Sequence, residues 1–113
     1  MGNASASISD MFIDHFNSVD KAWAFSEFNG RSDYGPFIEY GIPAGGLDSG
    51  AEGIKTDRER SVFGGLSKTA YDPCYHQACD TIENIGMEAF LTLNLALTLL
   101  LVTLVNLVLH FKI

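Results

Sequence analysis

The chain lacks a basic cluster. It carries 7 Lys and Arg against 14 Asp and Glu, a net charge of -7, and the basic residues are scattered. Phosphate neutralisation needs grouped cations, so nucleic acid is excluded as a partner. It also lacks a secretory leader at its start. Met1-Gly2-Asn3-Ala4-Ser5-Ala6-Ser7 is small and polar, with no basic opening and no apolar stretch behind it. Ala6 stands where a myristoylation signal needs Ser or Thr. Asn3-Ala4-Ser5 is a glycosylation sequon, meaningful only in a translocated chain. No internal repeat or low-complexity tract is present, and 113 residues allow at most one small domain.

Cysteine is nearly absent too. The only two, Cys74 and Cys79, lie in Tyr71-Asp72-Pro73-Cys74-Tyr75-His76-Gln77-Ala78-Cys79-Asp80-Thr81, and their spacing is not that of a zinc site. One disulfide fits, and with it an oxidising compartment, at odds with the missing leader. A preceding segment would reconcile the two. A ring this small adds only about 2 kcal/mol by loop entropy. Its larger effect is local, holding Tyr75 and His76 in place as a metal ligand or catalytic group requires. A stapled surface loop with an incidental histidine is the alternative.

Periodicity predicts an amphipathic helix over residues 8–19. Ile8, Met11, Phe12, His15, Phe16 and Val19 recur at three- and four-residue steps, with Ser7 or Ser9 as N-cap. His15 has no second ligand one turn away and reads as a packed helix histidine. Ala22 to Phe28, with Trp23 and Phe25, predicts a strand entering the Asn29-Gly30 turn. A short helix follows, capped by Ser32 or Asp33, with Pro36 in its first turn and Gly41 at its end. Ile42 to Leu47 predicts a glycine-rich strand approached closely by another group. Asp57 to Phe63 predicts one or two helical turns closed by Gly64-Gly65. This alternation points to an α/β layer arrangement.

From Ala89 to Leu109 no residue is formally charged, and the run is long and apolar enough to span a membrane. A buried terminal helix is the other reading. At about 100° per residue, Glu88, Thr92, Thr103, Asn106 and His110 share a narrow stripe that would serve as a solvent edge. Asn94 and Thr98 fall nearly opposite. His110 and Lys112 would make a polar end.

Several ordered blocks carry a resemblance. They are Gly30-Arg31-Ser32-Asp33-Tyr34-Gly35-Pro36-Phe37, Gly41-Ile42-Pro43-Ala44-Gly45-Gly46-Leu47, Gly50-Ala51-Glu52-Gly53-Ile54-Lys55-Thr56, and the Asp72 to Thr81 run. From about Phe12 to Glu88 the chain resembles the C-terminal third of the catalytic domain of the secreted dizinc aminopeptidases, metallopeptidases related to glutamate carboxypeptidase. The resemblance implies the C-terminal portion of a three-layer α/β/α zinc-peptidase domain over residues 1–86, followed by an apolar helix over 87–113. Two metals about 3.5–4 Å apart would activate a water and polarise the scissile carbonyl of a peptide N-terminus. His76 matches a metal ligand. Tyr75 matches the tyrosine whose O–H donates to the oxyanion, a donor worth about 2.7–4 kcal/mol of barrier. Arg31 matches the arginine near substrate oxygens, whose fork suits planar oxygen pairs, and Gly30 would line the pocket with backbone alone.

Two departures stand against the match. Asp48 follows Gly-Gly-Leu where the family carries phenylalanine lining the pocket for an apolar side chain. A carboxylate there favours a cationic substrate side chain, unless the loop turns it outward. The family's H-x-D and Glu-Glu motifs are absent, and a catalytic zinc needs about three protein ligands. The expectation is therefore a piece that does not hydrolyse peptides alone, its remaining ligands coming from an upstream segment or a partner chain. A membrane-anchored, non-catalytic peptidase-like module, held through 89–109, is the alternative. Family and cysteine pair imply the secretory pathway.

Overall fold

A computed structural model describes residues 2–110, with side chains from 4 to 106. It contains four α-helices, α1 (Gly2–Ser18), α2 (Gly35–Glu39), α3 (Asp57–Phe63) and α4 (Met87–His110), with a 3-10 turn at Ile82–Asn84. The chain divides into two compact units, Met1–Leu47 with Thr92–Ile113, and Asp48–Leu91.

In the first unit the apolar stripe of α1 is buried as its periodicity predicts. Phe12 and Phe16 meet Ala96 and Leu100 of α4, with Ile8, Met11, Leu47 and Leu93 around them. Burial of each phenylalanine stabilises by about 1.5–3 kcal/mol. The helix starts earlier than expected, so Ser7 and Ser9 lie inside it rather than capping it. Tertiary contact accounts for the extra turns: Ala44 N–H donates to Ser5 Oγ (3.2 Å). A Cβ on Gly45 would stand 2.6 Å from Ile8 Cγ2, so the close approach expected at this glycine-rich stretch is made by α1. At the other end Asp20 takes the left-handed position (φ 53°). Lys21 N–H then reaches back to the Phe16 carbonyl, closing the helix in the manner usual for glycine.

The strands expected at 22–28 and 42–47 do not form. Both run as irregular chain, and among the described residues the sole β pairing is an isolated antiparallel bridge, Ile54 with Ala70. A strand exists only where a neighbour completes its hydrogen bonds, and apolar composition cannot supply that neighbour. The aromatics of the first segment pair locally instead: Trp23 is edge-on to Phe25, and Trp23 Nε1 donates to Asn17 Oδ1 (2.9 Å). Pro36 sits in the first turn of α2, as expected, but that helix starts after Tyr34 and no side chain caps it. Gly41 follows with φ 74°.

α4 also corrects an expectation. Thr92 and Thr103 are half-buried and flank the buried Ala96 and Leu100, whereas Leu91, Leu95, Leu97, Leu101 and Val105 are exposed. Of the stripe assigned to solvent, Glu88 and Asn106 are exposed as expected, whereas the two threonines border the packed face, where small side chains let α1 approach. The expected polar end falls outside what can be described: Lys112 lies beyond the described residues, and His110 is described in backbone alone. The segment Met87–Asn106 is long and apolar enough to cross a membrane, with mean hydropathy 2.0 and 11% of it buried.

In the second unit, residues 51–55 run beside 68–72. Lys68 N–H donates to the Lys55 carbonyl, Lys55 N–H to Thr69, Tyr71 N–H to Gly53 and Asp72 N–H to Ala51. α3 leaves this ribbon through a capping box. Thr56 Oγ1 accepts from Glu59 N–H (3.1 Å), and the Glu59 carboxylate accepts from Thr56 N–H (2.7 Å). The expected glycine stop is present, Gly64 and Gly65 both at φ 74°. Lys55, 8% exposed, spans the unit: its Nζ donates to the Gly64 carbonyl (3.0 Å) and lies 4.5 Å from the centre of the Tyr71 ring.

Candidate functional site

The site is built on the short ribbon of the second unit. Asp72 ends its second limb and starts an Asx turn, Oδ1 accepting from Cys74 N–H (2.9 Å), with Pro73 fixing the backbone between them. Cys74 and Cys79 are disulfide-bonded, their Cα atoms 5.3 Å apart. Inside the ring Gln77 N–H donates to the Cys74 carbonyl (2.8 Å), and just past the ring Asp80 N–H donates back to Gln77 (3.0 Å). His76 occupies the left-handed region (φ 55°), where histidine is enriched among non-glycine residues. That turn sets its imidazole against the Tyr75 ring, centroids 4.0 Å apart and planes tilted by 45°. Both side chains are exposed, Tyr75 at 36%. The ring thus presents a phenol and an imidazole side by side at the surface.

Asp48 is exposed, and its Oδ1 accepts from Gly50 N–H (2.8 Å), an Asx turn of its own. Gly50 has φ 98° and packs directly on the Tyr71 ring, leaving no room for a Cβ. The turn bearing Asp48 and the limb bearing the disulfide ring are therefore held together by Gly50 on Tyr71 and by Asp72 N–H on the Ala51 carbonyl (2.9 Å). Burial raises the Tyr71 phenol above its ordinary value, helped by the charge of Glu59 and a hydrogen bond to it. The Glu59 carboxyl is lowered, chiefly by its hydrogen bonds to the Thr56 backbone and hydroxyl.

Gly30 and Arg31 belong to the first unit. Gly30 has φ 81°, and its N–H donates to Tyr34 Oη (2.9 Å). Tyr34 stacks on Phe28, ring centres 4.1 Å apart. Arg31 is exposed, its N–H on Asn29 Oδ1 (3.1 Å). A Cβ on the buried Gly35 would stand 2.6 Å from the Gly30 carbonyl oxygen, so glycine at 35 lets this turn close.

The described residues do not make a metal centre. None of their His, Cys, Asp and Glu side chains form a group of three that could hold an ion. His76 stands as one ligand at most.

Two features were not anticipated from the sequence. The capping box was readable as Thr56-Asp57-Arg58-Glu59, the T-x-x-E signature. The anchoring turn was readable as Asp72-Pro73, a turn-initiating pair.

With this geometry in view, comparison with known proteins is decisive. A family model described as peptidase family M28 matches residues 2–100. The chain belongs to that family. Over 87 residues it is 49% identical to a protein of Aspergillus fumigatus named probable leucine aminopeptidase 2, covering 77% of this chain and 17% of that protein. Over 85 residues it is 42% identical to a protein of Pseudomonas aeruginosa named aminopeptidase, covering 75% of this chain and 16% of that one. Leupeptin-inactivating enzyme 1 of Streptomyces exfoliatus is 50% identical over 64 residues, covering 57% and 15% respectively. The chain spans less than a fifth of the length of these relatives.

Proposed function

We propose that this chain forms the C-terminal part of a zinc-dependent aminopeptidase site and does not hydrolyse peptides on its own. The observation that carries the reading is the closed 74–79 ring, which sets Tyr75 against His76 in a chain of the M28 family. In this reading His76 contributes one ligand to a zinc centre, and the remaining ligands and the general base come from polypeptide outside this sequence. Attack on the scissile carbonyl builds negative charge on its oxygen. The Tyr75 O–H donates to that oxygen, and a donor preorganised for it lowers the barrier because it need not reorient during the reaction. Arg31 binds substrate oxygens by its planar fork, Gly30 borders the pocket with backbone, and Asp48 lies near the substrate's N-terminal side chain.

The apolar, aromatic-rich composition of segments 22–28 and 42–47 supports a three-layer α/β/α parent, in which strands of the remaining domain would lie beside them. The disulfide supports passage through an oxidising, secretory compartment. The apolar surface of α4 favours a membrane anchor as the second reading, but its packing weighs against one. α1 lies on Ala96 and Leu100, the middle of the apolar span, and would carry Asp10 and Asp14 to bilayer depth at a cost of about 2.5–3.5 kcal/mol each. Burial of α4 against protein avoids that cost.

The test is a chimera in which this chain replaces the matching segment of the Pseudomonas aeruginosa aminopeptidase. The chimera is expected to cleave aminoacyl nitroanilides, and His76→Ala to lower its bound zinc and abolish cleavage. Unchanged zinc content and turnover in His76→Ala would overturn the reading.

A further inference from the structure

A disulfide fixes the ends of a small ring but not its tilt, because the ring can still swing about the bonds that enter and leave it. In this chain a polar clasp stands across those two points. Asp72 precedes the ring, and its Oδ1 accepts from both Cys74 N–H (2.9 Å) and Asn84 Nδ2 (3.0 Å). The same Asn84 amide reaches Asp80 Oδ1 (3.4 Å), the residue just beyond the ring. Asn84 is itself held by the 3-10 turn, its N–H on the Thr81 carbonyl (2.9 Å), and Asp72 N–H is fixed on Ala51 (2.9 Å). One carboxylate thus ties the entry of the ring to the ribbon, and one amide ties entry to exit. Asp72 and Asn84 are partly buried, which shields the two bonds to the Asp72 carboxylate from competing water.

We propose that Asp72, clasped by Asn84, is a positioning residue that sets the orientation of Tyr75 and His76. The proposal deepens the reading above, in which those two side chains meet substrate and metal. Its test needs neither, so failure of one is distinguishable from failure of the other. The readouts, on the full chain, are the equilibrium between Cys74–Cys79 disulfide and thiols in glutathione buffers, followed by alkylation and mass spectrometry, and the proton shifts of the His76 imidazole. Those shifts carry the ring current of Tyr75 4.0 Å away.

Asp72→Ala is expected to lower the effective concentration of the two thiols about five- to tenfold, the scale set by losing hydrogen bonds of this kind. It should also move the His76 shifts toward those of a free histidine. Asp72→Asn keeps the acceptor oxygen and should stay within about twofold of the parent, with the shifts retained. Asn84→Ala, which leaves the turn at Cys74 intact, should give a smaller change in the same direction. Parental values in Asp72→Ala, or values in Asp72→Asn as low as those of Asp72→Ala, would overturn the proposal. If Asp72→Ala does not fold, Asn84→Ala decides, and parental shifts with a parental equilibrium in that variant refute the clasp.

Discussion

Replacing Gly50 by alanine should loosen the second unit at one point. Gly50 has φ 98°, where a Cβ crowds the backbone at a cost of about 1–2 kcal/mol. The added carbon would also fall on the Tyr71 ring, 2.7 Å from Cδ2 and 2.8 Å from Cβ. The ring must shift, and with it the Lys55 ammonium 4.5 Å from its centre, a contact worth about 0.5–1 kcal/mol. Together these give about 1.5–3 kcal/mol, or roughly a 12- to 140-fold fall in local protection at 1.4 kcal/mol per decade. Hydrogen exchange at the amides of Lys55, Tyr71 and Asp72, which donate across the ribbon, reads that loss directly. Gly46→Ala is the control, since a Cβ there meets nothing within 4 Å, and its protection should change less than threefold. Equal effects of the two substitutions would refute the account of how Asp48 and the disulfide ring are held together.

The remaining expectations concern α3 and the pocket. The capping contacts lower the Glu59 carboxyl below its ordinary value of 4.5, so the folded state binds its proton less readily than the unfolded state. The resulting stability is present above that ordinary value and is lost as pH falls through the lowered one. Protection at Arg60 N–H, which donates to Thr56, should fall with acid. Glu59→Gln should abolish that dependence while leaving the separate one from Glu83, whose carboxyl is lowered by Thr81. In the peptidase chimera Asp48 should shift preference from leucyl toward lysyl substrates, by the 1–3 kcal/mol at most, about, of a charged hydrogen bond. Asp48→Phe should reverse the order. Equal kcat/KM ratios in both proteins would mean that Asp48, already on Gly50 N–H, faces away from the substrate.

Local signals in the sequence were legible where the chain itself answers them. The α1 stripe, the glycine at 41, the glycine stop of α3 and the cysteine ring all depend on near neighbours or on one facing element. The strands at 22–28 and 42–47 were not legible in this way, since alternation and aromatics identify a surface that wants a partner without naming one. The α4 wheel grouped Thr92 and Thr103 correctly, but periodicity says which residues share a face and not what that face meets. Small threonines and Ala96 admit the bulk of Phe12 and Phe16, so packing drew Thr92 and Thr103 inward while Glu88 and Asn106 stayed exposed. The site was legible mainly through its ordered motif blocks. Its anchor, Asp72, was visible as an Asp-Pro turn, but its second bond to Asn84 spans 12 residues and has no local pattern.

The most direct test of the central claim is the turnover of the chimera carrying Tyr75→Phe, which removes one oxygen from a ring that lies against His76. Loss of an oxyanion donor costs about 10²–10³ in turnover, so kcat should fall by that factor while KM stays within about threefold, because the bond forms only in the transition state. Parental kcat, or a loss carried wholly by KM, would contradict the assignment of Tyr75 and with it the place of this ring in a peptidase site.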